Sequence, residues 1–211
     1  MHYFFPIIDN GMGLSRTSWA FSMCVLFQSE LFRGHKITFQ SISYPYCDGA
    51  MNIATADFIR SDAQEMVVID TDVLFKVEHV AWLLSHDEPL VFGMYPKKQV
   101  GLNFPLEWLT DDNPFSTDPH VNPLVEVKHT ARGFGRFKRE VFDKLRPHVE
   151  TYVDPETQQT ESLFWQNMPG GHSEDFRFCS LWRSIGGKVL VDQRCVAQHE
   201  GSAVYPIPGT F

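Results

Sequence analysis

The chain is short of basic residues, short of cysteine and without any long apolar run, and each shortage removes a class of protein. Lys and Arg number 18 against 26 Asp and Glu in 211 residues, a formal charge of −8. A nucleic-acid groove needs clustered cations to replace phosphate counterions, so this balance argues against nucleic acid as a partner. It suits a protein that handles metal ions and sugars, and equally many acidic cytosolic enzymes. The four cysteines, Cys24, Cys47, Cys179 and Cys195, lie far apart, with no C-x-x-C and no short Cys/His spacing. Such spacing gives no zinc framework and reads as reduced thiols in the cytoplasm. The apolar run Tyr3-Phe4-Phe5-Pro6-Ile7-Ile8 lacks a basic flank and is too short for a signal sequence or a membrane span, so it reads as a first core strand and no transmembrane segment is expected. No Asn is followed by x-Ser/Thr, in keeping with an intracellular location. The glycine patterns of a Rossmann dinucleotide site and of a P-loop are missing, as are internal repeats and low-complexity tracts.

A hydrophobic content of 43% is enough for one substantial core and one α/β domain. Apolar runs and helical stretches alternate through the first hundred residues, which predicts a mostly parallel central sheet covered by helices. Residues 3–8 read as a strand, Asn10-Gly11-Met12-Gly13 as a loop and Ser18 to Phe32 as a helix ended near Arg33-Gly34. Lys36 to Ser43 reads as a second strand, broken by Tyr44-Pro45 and Cys47-Asp48-Gly49, and Asn52 to Ser61 as a helix leading into the strand Met66–Ile69. Further strands are expected at 90–94, 124–128 and 188–192, with helices at 78–85 and 139–145. A helix after Ser173 ends at Gly186-Gly187. The stretches 111–123 and 154–172 are rich in Asp, Asn, Pro, Gly and Ser and read as surface loops of a functional kind.

Chemistry enters at Asp70-Thr71-Asp72, which follows the apolar run Met66-Val67-Val68-Ile69. Residues two apart on an extended chain point the same way, so Asp70 and Asp72 can share a divalent cation carrying a diphosphate. With 14 aspartates in the chain, chance alone supplies about one D-x-D, and an acidic strand-to-loop turn would look the same. Position at a strand's C-terminal edge is what carries the weight. Ser173-Glu174-Asp175 is an ordinary helix start with acids on the dipole, or else it places Asp175 as a general base, kept ionised by helix amides and a nearby cation. His199, in Ala197-Gln198-His199-Glu200-Gly201, follows the last strand. It is either an exposed histidine or the nitrogen ligand that completes, with Asp70 and Asp72, an oxygen and nitrogen site suited to Mn²⁺ more than Mg²⁺. Gly133-Phe134-Gly135 marks a close backbone approach. Lys97, Lys98, Arg60 and Arg132 are phosphate-neutralising or plain surface charge, and Phe134, Trp108 and Trp165 are sugar platforms or core.

Taken in order, these segments resemble the glycosyltransferases of the GT-A fold over nearly the whole chain. Val67-Val-Ile-Asp-Thr-Asp-Val-Leu-Phe75 and Val91-Phe-Gly-Met-Tyr-Pro-Lys-Lys98 are similar to that family's D-x-D strand and next core strand. Arg132-Gly-Phe-Gly-Arg-Phe-Lys-Arg-Glu-Val-Phe142 is similar to its glycine loop and the helix after it, the stretch from Ser173 to Lys188 to its x-E-D helix, and Gln198-His199-Glu200-Gly201 to its C-terminal metal histidine. A narrower resemblance is to the N-terminal domain of capsid-glycan glycosyltransferases of large algal viruses. That would extend the polypeptide past Phe211, where Tyr205-Pro-Ile-Pro-Gly-Thr-Phe211 reads as a linker entry.

The resemblance implies a Rossmann-like nucleotide-sugar-binding domain over 1–211, with Mn²⁺ or Mg²⁺ held by Asp72 directly, by His199, and by Asp70 through the ion's water shell or the donor's ribose. It implies a UDP-sugar donor whose uracil and ribose lie near Pro6, Ile8, Tyr44 and Asp48, helped by Asn52 and Arg60, with Thr71, Gly133 and Phe134 along the donor. A hexose or 6-deoxyhexose would pass to an oligosaccharide or glycoprotein hydroxyl, with inversion if Asp175 is the base and His172 the fallback. Three other readings stay open: a retaining enzyme of the same fold, a nucleotidyltransferase, whose glycine-rich basic signature Asn10-Gly-Met-Gly-Leu-Ser-Arg16 only echoes, and a non-catalytic sugar-binding module.

Overall fold

A computed structural model describes residues 1–9, 16–99, 103–110, 115, 118–155, 157–167, 173–201 and 204–205. The expected loop at 10–13, the fallback base His172, much of 111–123 and the ending after Tyr205 lie outside them. In chain order the elements are β1 (His2–Asp9), α1 (Thr17–Gln28), β2 (Lys36–Ser43), α2 (Cys47–Arg60), β3 (Glu65–Ile69), β4 (Val73–Leu74) and α3 (Val77–Leu84). They continue with β5 (Leu90–Met94), β6 (Leu106–Trp108), β7 (Leu124–Thr130), β8 (Phe134–Lys138), α4 (Arg139–Leu145), β9 (Thr151–Val153) and β10 (Thr160–Ser162), and close with α5 (Glu174–Ser184), β11 (Val189–Val196), β12 (Gln198–Glu200) and β13 (Val204–Tyr205).

One large sheet runs β2-β1-β3-β8-β5-β11-β7-β6. Strands β8 and β7 are antiparallel to their neighbours and the rest run one way, so the expected mostly parallel, helix-covered α/β sheet is what the chain forms. Sheets covered on both faces carry continuous apolar strands, and β3 and β5 are buried at every position. Alternation sorts their side chains: Phe4, Met66 and Val68 pack with Met51 and Phe58 of α2, Phe142 of α4 and Phe178 of α5. Phe5, Val67 and Ile69 pack on the other face with Trp19 and Leu26 of α1 and Val80 and Leu83 of α3. Trp165 belongs to the core as well, stacked on Phe178 at 4.1 Å between ring centroids.

Several elements differ from their sequence expectation, among them α1, which ends at Gln28 instead of Phe32, and β7, which runs on to Thr130. Helix α2 begins at Cys47 and runs straight through Cys47-Asp48-Gly49, which reads as a break. Gly49 is there for packing rather than for turning: a Cβ would lie 2.3 Å from the Tyr44 ring. The glycine segment forms strand β8, in which Gly135 passes against the Phe92 ring with room for no Cβ. Strand β11 runs on to Val196, past the expected end at Asp192. Arg136 of β8 is fully buried and donates to the carbonyls of Leu83, His86 and Glu88. Leu83 is among the last carbonyls of α3, which lack a partner within the helix, and His86 and Glu88 lie in the stretch that follows it. No helix among the described residues is long and apolar enough to cross a membrane.

Candidate active site

Ligands of open α/β sheets gather outside the carboxyl ends of the strands, and the acidic triplet sits there, directly after β3. The chain turns at the triplet, Val73 N–H donating to the Asp70 carbonyl at 2.9 Å, and leaves as β4. Strand β12 then pairs antiparallel with β4, placing His199 opposite Val73, and Glu200 N–H closes the ladder on the Asp72 carbonyl at 2.7 Å. That pairing brings together two side chains remote in sequence: His199 Nε2 lies 3.4 Å from Asp72 Oδ1. The other ring nitrogen, Nδ1, lies 2.8 Å from the Pro96 carbonyl oxygen. A carbonyl can only accept, so Nδ1 carries a proton and fixes the ring with Nε2 turned toward the carboxylate.

A carboxylate and an imidazole nitrogen facing each other at this distance form a donor set that suits Mn²⁺. Lys98 already places its ammonium on Asp72 Oδ2. Burial acts to raise the Asp72 pKa, but the hydrogen bonds from His199 and Lys98 prevail and hold it at about 2. Asp70 does not join this pair. Its Oδ1 accepts from Arg132 at 2.7 Å, and among the described residues no three His, Cys, Asp or Glu side chains close around one point.

Arg132 is the hub of a second cluster. Only 5% exposed, it bonds Asp70, approaches Asp175 Oδ1 at 3.5 Å and reaches Glu174 at 4.0 Å. Burial opposes its charge, yet Asp70, Asp175 and Glu174 together hold its pKa above the ordinary arginine value. Gly133 makes this convergence feasible, because a Cβ there would lie 2.2 Å from Asp70 Oδ2 and 2.5 Å from the Tyr95 hydroxyl. Its N–H donates to that hydroxyl at 3.2 Å, and its carbonyl accepts Asp70 N–H at 2.8 Å. Asp175 opens α5 as expected, with Ser173 at the N-cap position but making no side-chain cap bond. Its electrostatics run opposite to the expectation of a lowered pKa. Burial raises it, Arg132 opposes the rise, and the neighbouring carboxylates of Glu174 and Asp70 add to it.

The other expected donor contacts separate into those at the site and those away from it. Thr71 sits in the turn, its carbonyl accepting Arg16 N–H at 3.3 Å. Tyr44 is 39% exposed and, with Asp48, Trp165, Asn167 and Arg177, lines an open groove of about 620 Å³ at the start of α2. Asn52 is committed elsewhere: its amide exchanges two hydrogen bonds with the Trp165 backbone, at 2.7 and 3.0 Å. Pro6 is buried, and Ile8 packs against Ile42, Ala50 and Ala54. Phe134 is fully buried, since the alternation of β8 turns its ring into the core, leaving only its backbone for a ligand. Arg60 lies at the far end of α2, in ion pairs with Asp57 and Glu161.

Sequence reasoning passed over Asp9, which ends β1 as Asp70 ends β3 and accepts the Ser43 hydroxyl at 3.0 Å. The signal was available, an apolar run closed by a carboxylate at Ile7-Ile8-Asp9. Arg132 and Lys98 were visible only as charges, because a cation's partner is set by tertiary pairing.

No family model matches the chain, and no curated protein matches it. Among solved structures, A197 from STIV is similar with a TM-score of 0.60 at 16% identity, over 95% of this chain and 86% of that one. GalNAc-T7, solved with UDP, GalNAc and Mn²⁺, is similar with a TM-score of 0.58 at 14% identity, over 99% of this chain and 44% of that one. This chain therefore spans less than half of the GalNAc-T7 chain. At such identities the likeness establishes the fold, which is GT-A-like.

Proposed function

We propose that the chain is a metal-dependent glycosyltransferase that moves a hexose or 6-deoxyhexose from a UDP-sugar to a hydroxyl of an oligosaccharide or glycoprotein. The observation that carries this reading is the pairing of Asp72 with a histidine whose other nitrogen is already committed to the Pro96 carbonyl. The presence of UDP, GalNAc and Mn²⁺ in GalNAc-T7, a protein of the same fold, supports the donor class. Asp72 and His199 would hold Mn²⁺, or Mg²⁺, with Asp70 at its water shell or at the donor's ribose. When bound, the ion supplies positive charge against the departing diphosphate.

The protein's own residues do the rest. Asp9, Tyr44 and Asp48, at and just beyond the ends of β1 and β2, border the place for uracil and ribose, and Gly133 keeps the floor under the donor flat. Asp175 takes the proton from the acceptor hydroxyl in a single in-line displacement that inverts the anomeric carbon. A base works best with a pKa near the working pH, and burial opposed by Arg132 moves Asp175 in that direction. The resemblance to capsid-glycan glycosyltransferases of large algal viruses would make the acceptor a capsid glycan and the site of action the cytoplasm.

The test is a panel of nucleotide sugars scored for Mn²⁺-dependent hydrolysis and transfer, with the product anomer read by NMR. Hydrolysis of a UDP-sugar and an inverted product are expected. A product of unchanged configuration would remove Asp175 as the base, and silence across the whole panel would remove the activity.

A further inference from the structure

The two aspartates of the triplet have counter-ions of opposite character. Asp70 is paired with Arg132, whose side chain is only 6% exposed and whose planar fork also reaches two other carboxylates. Such a guanidinium is held from several sides and stays where it is. Asp72 is paired with Lys98, whose side chain is 37% exposed against 29% for the aspartate. An ammonium on a flexible stem in a half-open pair is weakly held. Lys98 covers Asp72 Oδ2 while His199 faces Oδ1, so both oxygens are taken, and one of them by a cation the chain carries itself.

The backbone on either side of Lys98 is held by bonds that do not involve its side chain. Lys97 N–H is tied to the Asn103 carbonyl at 2.7 Å and Gln99 N–H to the Lys97 carbonyl at 2.8 Å. The same segment supplies the Pro96 carbonyl that orients His199. The loop therefore does two separable things: its backbone sets the imidazole, and one partly exposed side chain fills the cation position beside it.

We propose that Lys98 is a displaceable counter-ion that occupies the cation site of Asp72 until a divalent ion and the donor's diphosphate arrive together. This rests on the reading of Asp72 and His199 as cation ligands. A divalent ion alone must expel the ammonium into water with no new partner for it. An ion arriving with a diphosphate offers the freed ammonium an anion within reach of its stem. Lys98 thus weakens the binding of the bare metal and couples metal to nucleotide, a linkage that is reciprocal between the two ligands.

The experiment is a Mn²⁺ titration followed by the electron paramagnetic resonance signal of the free aquo ion, on the full chain, with and without UDP. Wild type, Lys98→Met and Lys97→Met are compared, Lys97 being an exposed neighbour of equal charge. Without UDP, Lys98→Met should bind Mn²⁺ about three- to fivefold more tightly than wild type, the upper part of the range expected for removing a partly exposed ion pair. Lys97→Met should stay within about twofold of wild type, as an unpaired surface charge does. Adding UDP should tighten Mn²⁺ binding in wild type by a larger factor than in Lys98→Met. Equal affinities for wild type and Lys98→Met, or equal tightening by both lysine variants, would overturn the counter-ion role while leaving the metal site intact. Absence of Mn²⁺ binding in all three proteins, with UDP and without, would remove the metal site itself.

Discussion

Replacing Arg132 with methionine removes the one cation shared by Asp70, Asp175 and Glu174 and leaves a similar volume of side chain in its place. Removing one partner of a buried ion pair costs about 3–5 kcal/mol. Asp70 is 32% exposed at its side chain, so water relieves part of that, and a loss of about 2–3 kcal/mol is expected near neutral pH. The loss should depend on pH with a defined sign. Burial already raises the Asp175 pKa, and Arg132 is the first influence opposing that rise. Without it the folded-state pKa climbs further above the unfolded value.

A carboxyl raised in this way binds its proton more tightly in the folded state, so it costs nothing below the unfolded pKa and destabilises as pH rises toward the folded one. Wild-type Asp175 is itself raised to about 7, so the deficit of Arg132→Met should hold steady between about pH 5 and about pH 7 and grow above that, up to about pH 9, where the wild-type carboxyl ionises and the variant's stays protonated, with a limiting slope of about 1.4 kcal/mol per pH unit for one full proton. Urea denaturation of the metal-free protein at several pH values measures this directly. A deficit that stays constant across that whole range would mean the arginine acts by packing alone, and the electrostatic account of the cluster would be wrong.

Asp175→Asn should lower transfer by about 10²–10⁴-fold, the usual share of a general base, while the melting response to UDP with Mn²⁺ persists; near-normal turnover would place the base elsewhere. In wild type, UDP with Mn²⁺ at about 100 times Kd should stabilise by roughly 2.7 kcal/mol, and His199→Ala should lose most of that shift in a thermal melt, an unchanged shift counting against the imidazole as a ligand. Gly133→Ala forces a Cβ into the space of Asp70 Oδ2 and should cost about 1–3 kcal/mol by overpacking. It should also blunt the response to UDP, and wild-type stability in urea would show that Asp70 is not held at that glycine.

Long apolar segments were legible because burial on both faces leaves them no other reading. The bounds expected for β2, β5 and α4 are those the chain adopts. Gly49 misled because glycine is read as a punctuator, whereas here the Tyr44 ring claims the space of its missing Cβ. Strands of two or three residues, such as β4, β12 and β13, have no periodicity to detect and exist through pairing. At the site, a carboxylate ending a buried strand and a histidine after the last strand were readable as types in a place, and the structure sets Asp72 beside His199. The Phe134 ring reads equally as a sugar platform or as core, and only the start of β8 at that residue, which turns the ring inward, decides for the core. The pKa of Asp175 was misjudged for a related reason: local amides are visible in sequence, while burial belongs to the finished packing.

The ladder between β4 and β12 also has a bearing on how the protein is made. Asp72 leaves the ribosome well before its imidazole partner, and only a few backbone bonds hold the two segments side by side. The large sheet is built from other strands, so a molecule whose β12 has peeled away would keep its core and lose the approach of His199 to Asp72. Competence would then wait on the pairing of β12 with β4, and be lost to a cut between them that leaves the rest of the body standing.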